Sequence, residues 1–256
     1  MRIVQGIRFI AYAVPEKTLI IIPTYNEREN IVELLGEICE IVPGAQVLVV
    51  DDRSPDGTGD EVRAFIRGGH EGAVRLIERT GSRGLGNAYR EGLRFGLDHD
   101  FAVLVTMDAD FSHNPLHLPA MLEAGRDHDV VIGSRYIRDG GTINWRIRRI
   151  LLSWLANRFA RALLGLTGAD LTSGFRAYRR GILEAIVPER VRSNGYSYLV
   201  EMLFLAQRNN ARVAEVPIVF FDRTMGISKI SRGEIFRGVL TLLRLRFGGR
   251  RHGYGK

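Results

Sequence analysis

The chain has 256 residues, 45% of them hydrophobic, enough to bury one sizeable core, and its formal net charge of +7 points to anionic partners. No helix-turn-helix or zinc-finger spacing is present, so nucleic acid is set aside in favour of anionic lipid or phosphorylated substrates. The single cysteine, Cys39, excludes an intramolecular disulfide and fits a reducing compartment, and no charge-free apolar run approaches the roughly 20 residues a membrane span needs.

In chain order, residues 1–16 read as a disordered N-terminal extension. Ala11-Tyr12-Ala13 mimics a cleavage site, but Arg8 interrupts an already short apolar core, so export is not expected. Thr18 to Ile22 is a buried strand, broken at Pro23-Thr24-Tyr25-Asn26-Glu27. Ile31, Leu34, Leu35 and Ile38 then keep helical spacing, with Cys39 as core filling on the same helix. Val47 to Val50 is a second strand running into Asp51-Asp52-Arg53-Ser54-Pro55-Asp56-Gly57-Thr58, followed by a helix from about Gly59 to Ile66. Val74 to Ile77 is a third strand. Gly84-Leu85-Gly86 then opens a helix from about Asn87 to Leu97, and this turn either cradles phosphate with its amides or is simply tight. Phe101 to Val105 is the fourth strand. The alternation implies an α/β fold, a mostly parallel sheet covered by helices on both faces, in which ligands sit beyond the strand carboxyl ends. One domain over residues 17–247 is the simplest division, followed by a Gly/Arg-rich basic tail at 248–256.

The fourth strand ends at Asp108-Ala109-Asp110. Two carboxylates at the carboxyl edge of a sheet offer hard oxygen ligands suited to Mg²⁺ or Mn²⁺ gripping a diphosphate, although two aspartates after a strand also suit a solvated turn or a helix cap. His113 and His117 have no metal-ligand partners at persuasive spacing and are assigned surface or capping roles.

The ordered blocks Pro23-Thr24-Tyr25-Asn26-Glu27, Val50 to Thr58, Gly84-Leu85-Gly86, Asp108-Ala109-Asp110, Gly133-Ser134-Arg135-Tyr136 and Thr172-Ser173-Gly174-Phe175-Arg176 resemble glycosyltransferase family 2. Within it they are most similar to the polyprenyl (dolichyl) phosphate mannose synthases, over about Lys17 to Arg246, with Asp222-Arg223 to Ser228-Lys229 the most discriminating part. The resemblance implies a GT-A type fold with a Rossmann-like nucleotide-binding half. It implies that Pro23, Tyr25 and Glu27, helped by Val50 and Asp52, cup base and ribose, and that Asp108 and Asp110 hold metal and diphosphate with Ala109 lining the pocket by its backbone. Arg135 matches an arginine near the donor, and Arg223 and Lys229 match basic residues that meet phosphates as the acceptor loop closes. Ser112 stands where the family often carries Gln; a hydroxyl is a shorter, weaker third metal ligand, for which a water can substitute. Tyr196-Ser197-Tyr198 with Glu201 either lines the sugar pocket, as the resemblance implies, or simply starts a core helix.

The chemistry is consistent with those roles. A departing nucleoside diphosphate needs positive charge, which a divalent ion with Arg or Lys provides. An acceptor phosphate is already anionic, so a strong general base is unnecessary and the displacement inverts the anomeric carbon. Asp110, Arg223 and Lys229 are assigned the catalytic roles.

For lipid contact, Arg146 to Arg180 carries eight arginines and one acidic residue, Asp170. On a helical wheel Leu151, Leu152, Leu155, Phe159, Ala162, Leu163 and Leu166 share an apolar face, while Arg149, Ser153, Asn157 and Arg161 oppose it. Trp154 sits among the polar residues, one turn before Arg158. The helix lies either in a membrane interface or over the sheet with a solvated basic back. A second such C-terminal amphipathic helix spans Ile235 to Phe247. Leu152, Trp154, Arg158 and Ser173 are the lipid and acceptor candidates.

The reading that follows is a metal-dependent inverting transferase moving mannose from GDP-mannose to a polyprenyl phosphate, peripheral on the cytoplasmic face of a membrane, with room for a separate membrane-anchoring partner. UDP-glucose or another UDP-sugar is the alternative donor. A non-catalytic sugar-nucleotide-binding subunit and a sugar-phosphate nucleotidyltransferase are the readings of other classes.

Overall fold

The computed structural model describes residues 12–14, 16–221 and 232–247. The first half alternates strand and helix: β1 (Thr18–Thr24), α1 (Arg28–Ile41), β2 (Gln46–Asp51), α2 (Thr58–Phe65), β3 (Val74–Glu78), α3 (Leu85–Asp98) and β4 (Val103–Thr106). These elements match the alternation in the sequence, with boundaries moved by at most two residues. Then come α4 (Leu118–Ala124), β5 (Val130–Ser134), β6 (Gly141–Ile143), α5 (Ile147–Leu164), β7 (Arg176–Arg179), α6 (Arg180–Ile186), α7 (Tyr196–Arg208), β8 (Val213–Pro217), β9 (Val219–Phe221) and α8 (Arg232–Phe247).

Among the described residues, seven strands form one sheet in the order β3-β2-β1-β4-β7-β5-β8, and β6 and β9 pair in a small second sheet. β1 pairs parallel with β2 and β4, and β5 pairs parallel with β8, but β7 runs antiparallel between β4 and β5. Periodicity does not reveal β7, because Arg176-Ala177-Tyr178-Arg179 looks polar. Arg176 is nevertheless fully buried, donating to the carbonyls of Ser173 (2.8 Å), Leu171 (2.6 Å) and Leu199 (2.7 Å). Hydrogen bonds to three fixed carbonyls offset the cost of taking the guanidinium out of water.

Both sheet faces are covered. Leu19, Ile21, Leu48 and Val50 point into a core shared with α3 and α7, while Ile20, Ile22, Val47 and Val49 point into another shared with α1 and α4. This two-sided burial is why the strands read as continuous apolar runs. α3 sits unusually close to the sheet: a Cβ on Gly92 would fall 2.4 Å from Ile21 Cγ2, and one on Gly96 would fall 2.2 Å from Leu104 Cδ2. Cys39 packs, partly buried, against the α1 core as anticipated.

The N-terminal extension differs from expectation where it is described. Tyr12 and Val14 pack against the α1 core, and Tyr12 donates its N–H to Ile41 O at 3.0 Å and its hydroxyl to Glu123 Oε2 at 2.7 Å. Residues 1–11, Arg223, Lys229 and the basic tail at 248–256 lie outside the described residues. No described helix is long and apolar enough to cross a membrane.

Candidate functional site

The carboxyl ends of β2, β1 and β4 lie side by side, since β1 pairs with both others, and the loops leaving them carry the candidate residues. Asp51, at the end of β2, is buried and ties two of these loops together. It accepts from Thr24 Oγ1 (2.8 Å), Ser54 N–H (2.8 Å) and Ser54 Oγ (2.6 Å), and Ser54 Oγ in turn accepts from Asn26 N–H (3.0 Å). Glu27 N–H donates to Thr58 Oγ1 at 3.0 Å, and the Glu27 carboxylate accepts from Asn30 at 2.9 Å. Pro23 is half-buried. Tyr25 is exposed, with the Arg83 guanidinium 4.6 Å over its ring and Arg83 Nη1 donating to its hydroxyl at 2.7 Å.

Two neighbours of this cradle have side chains engaged within the protein. The Val50 side chain lies wholly within the core. Asp52 is buried, paired with Arg79, and accepts from Gly84 N–H at 2.9 Å. That bond uses the Gly84 amide, and a Cβ on Gly86 would crowd Asn194 (3.1 Å to Oδ1, 3.3 Å to Cα), so Gly84-Leu85-Gly86 is a tight packed turn. Gly84 adopts φ 143°, which favours glycine.

At the end of β4, the Met107 N–H makes the last bond to β1, on Ile21 O. Beyond it the Asp108 N–H donates to His113 Nδ1 at 2.9 Å, and Asp108 Oδ1 accepts from the buried Tyr89 hydroxyl at 3.2 Å. Asp110 accepts from both the N–H (3.1 Å) and the hydroxyl (2.5 Å) of Ser112, which is buried, so Ser112 braces Asp110. Ala109 is buried between the two aspartates. Gly174 faces Asp108: a Cβ there would lie 3.0 Å from Tyr89 Oη and 3.6 Å from Asp108 Oδ1.

These residues fit a hard divalent cation. The missing Cβ leaves room beside Asp108, and the donors are carboxylate oxygens. Among the described residues no group of three or more His, Cys, Asp or Glu could hold an ion alone. Mg²⁺ and Mn²⁺ are commonly bound through one or two carboxylates, with substrate phosphate oxygens completing the shell.

The assignment of His113 to the surface is corrected: it is 2% exposed, stacked on Phe175 (5.1 Å between centroids) and edge-on to Phe220 (5.7 Å). Burial lowers its pKa, against the opposing pull of Asp108 and Asp110. His117 is half-buried, its Nε2 facing Val219 N–H at 3.5 Å. Arg135 is buried and grips Asp170 through Nε (2.6 Å) and Nη2 (2.7 Å), with Thr172 Oγ1 at 2.9 Å. The rings of Tyr136, Trp145 and Phe220 lie 5.1–5.4 Å from the Arg135 guanidinium. Asp170 had a signal in the sequence, as the one acid in a basic stretch; Tyr89 had none. Ser173 is buried, as are Tyr198 and Glu201, the latter two as parts of the core helix α7.

Of the two settings open to α5, the structure shows the one with the apolar face outward. Asn157, Ala160 and Leu164 face inward, while Leu151, Leu152, Trp154 (47% exposed), Leu155 and Phe159 face out. Leu166, placed on the apolar face by the wheel, lies past the helix and is buried. Asn157 Oδ1 accepts from Leu171 N–H at 2.7 Å, and its amide donates to Ser153 O at 2.9 Å. α8 packs beside α5 and adds exposed Val239, Leu240, Leu243 and Phe247 (75%). Arg158 is exposed and lies 5.8 Å over the Trp154 ring. The outcome is a broad apolar surface carrying arginines.

Residues 19–187 match the family model for glycosyl transferase family 2. An undecaprenyl-phosphate mannosyltransferase of Micrococcus luteus is 45% identical over 228 residues, covering 89% of this chain and 93% of that protein. A polyprenol monophosphomannose synthase of Mycolicibacterium smegmatis is 44% identical over 221 residues, covering 86% and 83%. Among solved structures, glucosyl-3-phosphoglycerate synthase of Mycobacterium tuberculosis with Mn²⁺, UDP and glucosyl-3-phosphoglycerate superposes with a TM-score of 0.64 at 18% identity, covering 91% of this chain and 81% of that one. The same enzyme with Mg²⁺ and UDP gives a TM-score of 0.64, also at 18% identity, covering 91% and 80%. At such identity the likeness concerns the fold, which is of GT-A type.

Proposed function

Because this chain belongs to glycosyl transferase family 2 and is a glycosyltransferase, we propose that it moves mannose from GDP-mannose to a polyprenyl phosphate, giving a beta-linked lipid phosphate mannose. The observation that carries the proposal is the pair Asp108 and Asp110 at the carboxyl end of β4, beside the β1 and β2 loops, in a chain 45% identical to a named undecaprenyl-phosphate mannosyltransferase.

Asp108 and Asp110 would hold the ion. A bound Mg²⁺ or Mn²⁺ would supply positive charge to the leaving diphosphate. Tyr89 and Ser112 fix the two carboxylates from behind. Tyr25 offers an exposed ring for the base, with Pro23 and Glu27 beside it, and Arg135 supports the pocket through its bond to Asp170. Arg223 and Lys229 are assigned to the phosphates by motif alone. No side chain has to remove a proton from the acceptor, since a phosphate monoester is already anionic, and direct displacement inverts the anomeric carbon.

The exposed apolar residues of α5 and α8 support a peripheral membrane position, at the cytoplasmic face where sugar nucleotides are available. Leu152 and Trp154 would enter the interface, with Arg158 near anionic headgroups. The buried Ser173 supports the loop beside Asp108 and is withdrawn from lipid contact.

The test is transfer from radiolabelled GDP-mannose to undecaprenyl phosphate in vesicles, run beside UDP-glucose. Lipid-linked mannose of beta configuration is the expected product. Transfer from UDP-glucose alone would install the alternative donor, and tight nucleotide binding without any transfer would make the chain a binding subunit.

A further inference from the structure

The Met107 N–H donates to Ile21 O of β1, so the next amide along the chain, that of Asp108, faces away from β1. It meets His113 Nδ1 at 2.9 Å, five residues later along the chain. An amide can only donate, so Nδ1 must be the acceptor and the ring proton resides on Nε2. The ring is clamped between Phe175, stacked at 5.1 Å, and the edge of Phe220 at 5.7 Å, and its Nδ1 stands 3.7 Å from Asp108 Oδ2. The imidazole therefore fixes the backbone of Asp108 while the Tyr89 hydroxyl fixes its carboxylate.

We propose that His113 is a positioning residue for the metal-binding turn: a neutral imidazole that accepts the Asp108 amide and so presets the Asp108 carboxylate toward a divalent cation. This rests on the reading of Asp108 and Asp110 as metal ligands. It differs from direct ligation, because the nitrogen nearest the carboxylate is already occupied by the amide. Outer groups that orient a ligand typically contribute 10- to 100-fold to metal affinity.

The test uses the full chain, with Mn²⁺ binding in the presence of GDP followed by electron paramagnetic resonance. Asn carries its amide oxygen near the position of Nδ1, whereas Gln extends its amide toward the position of Nε2. His113→Asn should bind Mn²⁺ within about 3-fold of the parent, and His113→Gln should bind about 10-fold or more weakly, with similar melting temperatures for the two. Equal affinities for the two variants, whether both retained or both lost, would overturn the proposal. Should neither variant fold, the ¹⁵N spectrum of the parent protein decides: a neutral ring protonated at Nε2 supports the proposal, and a ring protonated at Nδ1 overturns it. Failure of the parent protein itself to bind Mn²⁺ would remove the metal reading and this inference together. Binding by the parent with indifferent variants would remove this inference alone.

Discussion

Arg135 and Asp170 form a buried two-point ion pair, Nε to Oδ2 at 2.6 Å and Nη2 to Oδ1 at 2.7 Å, joining the end of β5 to the loop before β7. Replacing Asp170 with Ala leaves a buried guanidinium without that carboxylate, and a loss of about 3–5 kcal/mol in unfolding free energy is expected from denaturant titration. Burial alone would raise the Asp170 pKa, but the Arg135 charge and its hydrogen bonds hold it below the usual value. A pKa depressed by folding gives stability that is fully present above the unfolded value of about 3.9 and is lost as pH falls through the folded value. The parent should therefore lose stability in acid below about pH 4 more steeply than Asp170→Asn, which is weaker at neutral pH and flatter in acid.

Asp110→Asn keeps an oxygen to accept from Ser112 but removes the charge facing the cation. Transfer should fall by about two orders of magnitude or more with an unchanged melting temperature, and excess chelator should abolish transfer by the parent enzyme until Mg²⁺ or Mn²⁺ is restored. Near-normal turnover by a folded Asp110→Asn protein would defeat the metal assignment.

Asn157→Leu separates two views of α5. On a helical wheel the change extends an apolar face. In the fold it removes the acceptor of the Leu171 N–H and the donor to Ser153 O at a position 4% exposed. A destabilisation of about 1–3 kcal/mol is expected from chemical denaturation.

The outward residues of α5 and α8 give a membrane prediction. The parent should sediment with anionic vesicles without detergent, and less so in high salt, since each basic residue near such a surface contributes about 1 kcal/mol. Leu152→Ser with Trp154→Ser should weaken sedimentation and impair transfer to a long polyprenyl phosphate while sparing a short soluble one. Equal losses on both acceptors would show that the helix supports the fold and not the lipid.

The alternation of β1 to β4 with α1 to α3, the turn after β1 and the carboxylates after β4 were legible because each is local: apolar runs, helical spacing and strand ends are written in neighbouring residues. The blocks that resemble family 2 were likewise short and contiguous. β7 was not legible, because a strand bearing Arg176 reads as surface until the carbonyls of Leu171, Ser173 and Leu199 surround its guanidinium. Val50 and Asp52 were placed correctly at a strand end, yet their side chains serve the core and the Gly84 turn, since nothing local announces Arg79 as a partner.

By itself the sequence determined the α/β class, the family and the Asp108-Ala109-Asp110 edge, all of which follow from patterns within a few residues. Only the tertiary structure decided which way α5 turns, that His113 is an interior acceptor, and that Tyr89 and Gly174 frame Asp108. Each depends on partners from other elements: Phe175 and Phe220 enclose His113, Tyr89 reaches Asp108 from α3, and the Leu171 N–H meets Asn157. Whether a polar group is buried depends on a hydrogen-bond partner supplied by a remote segment, and a helix shows its apolar face to solvent when its polar stripe finds such partners inside.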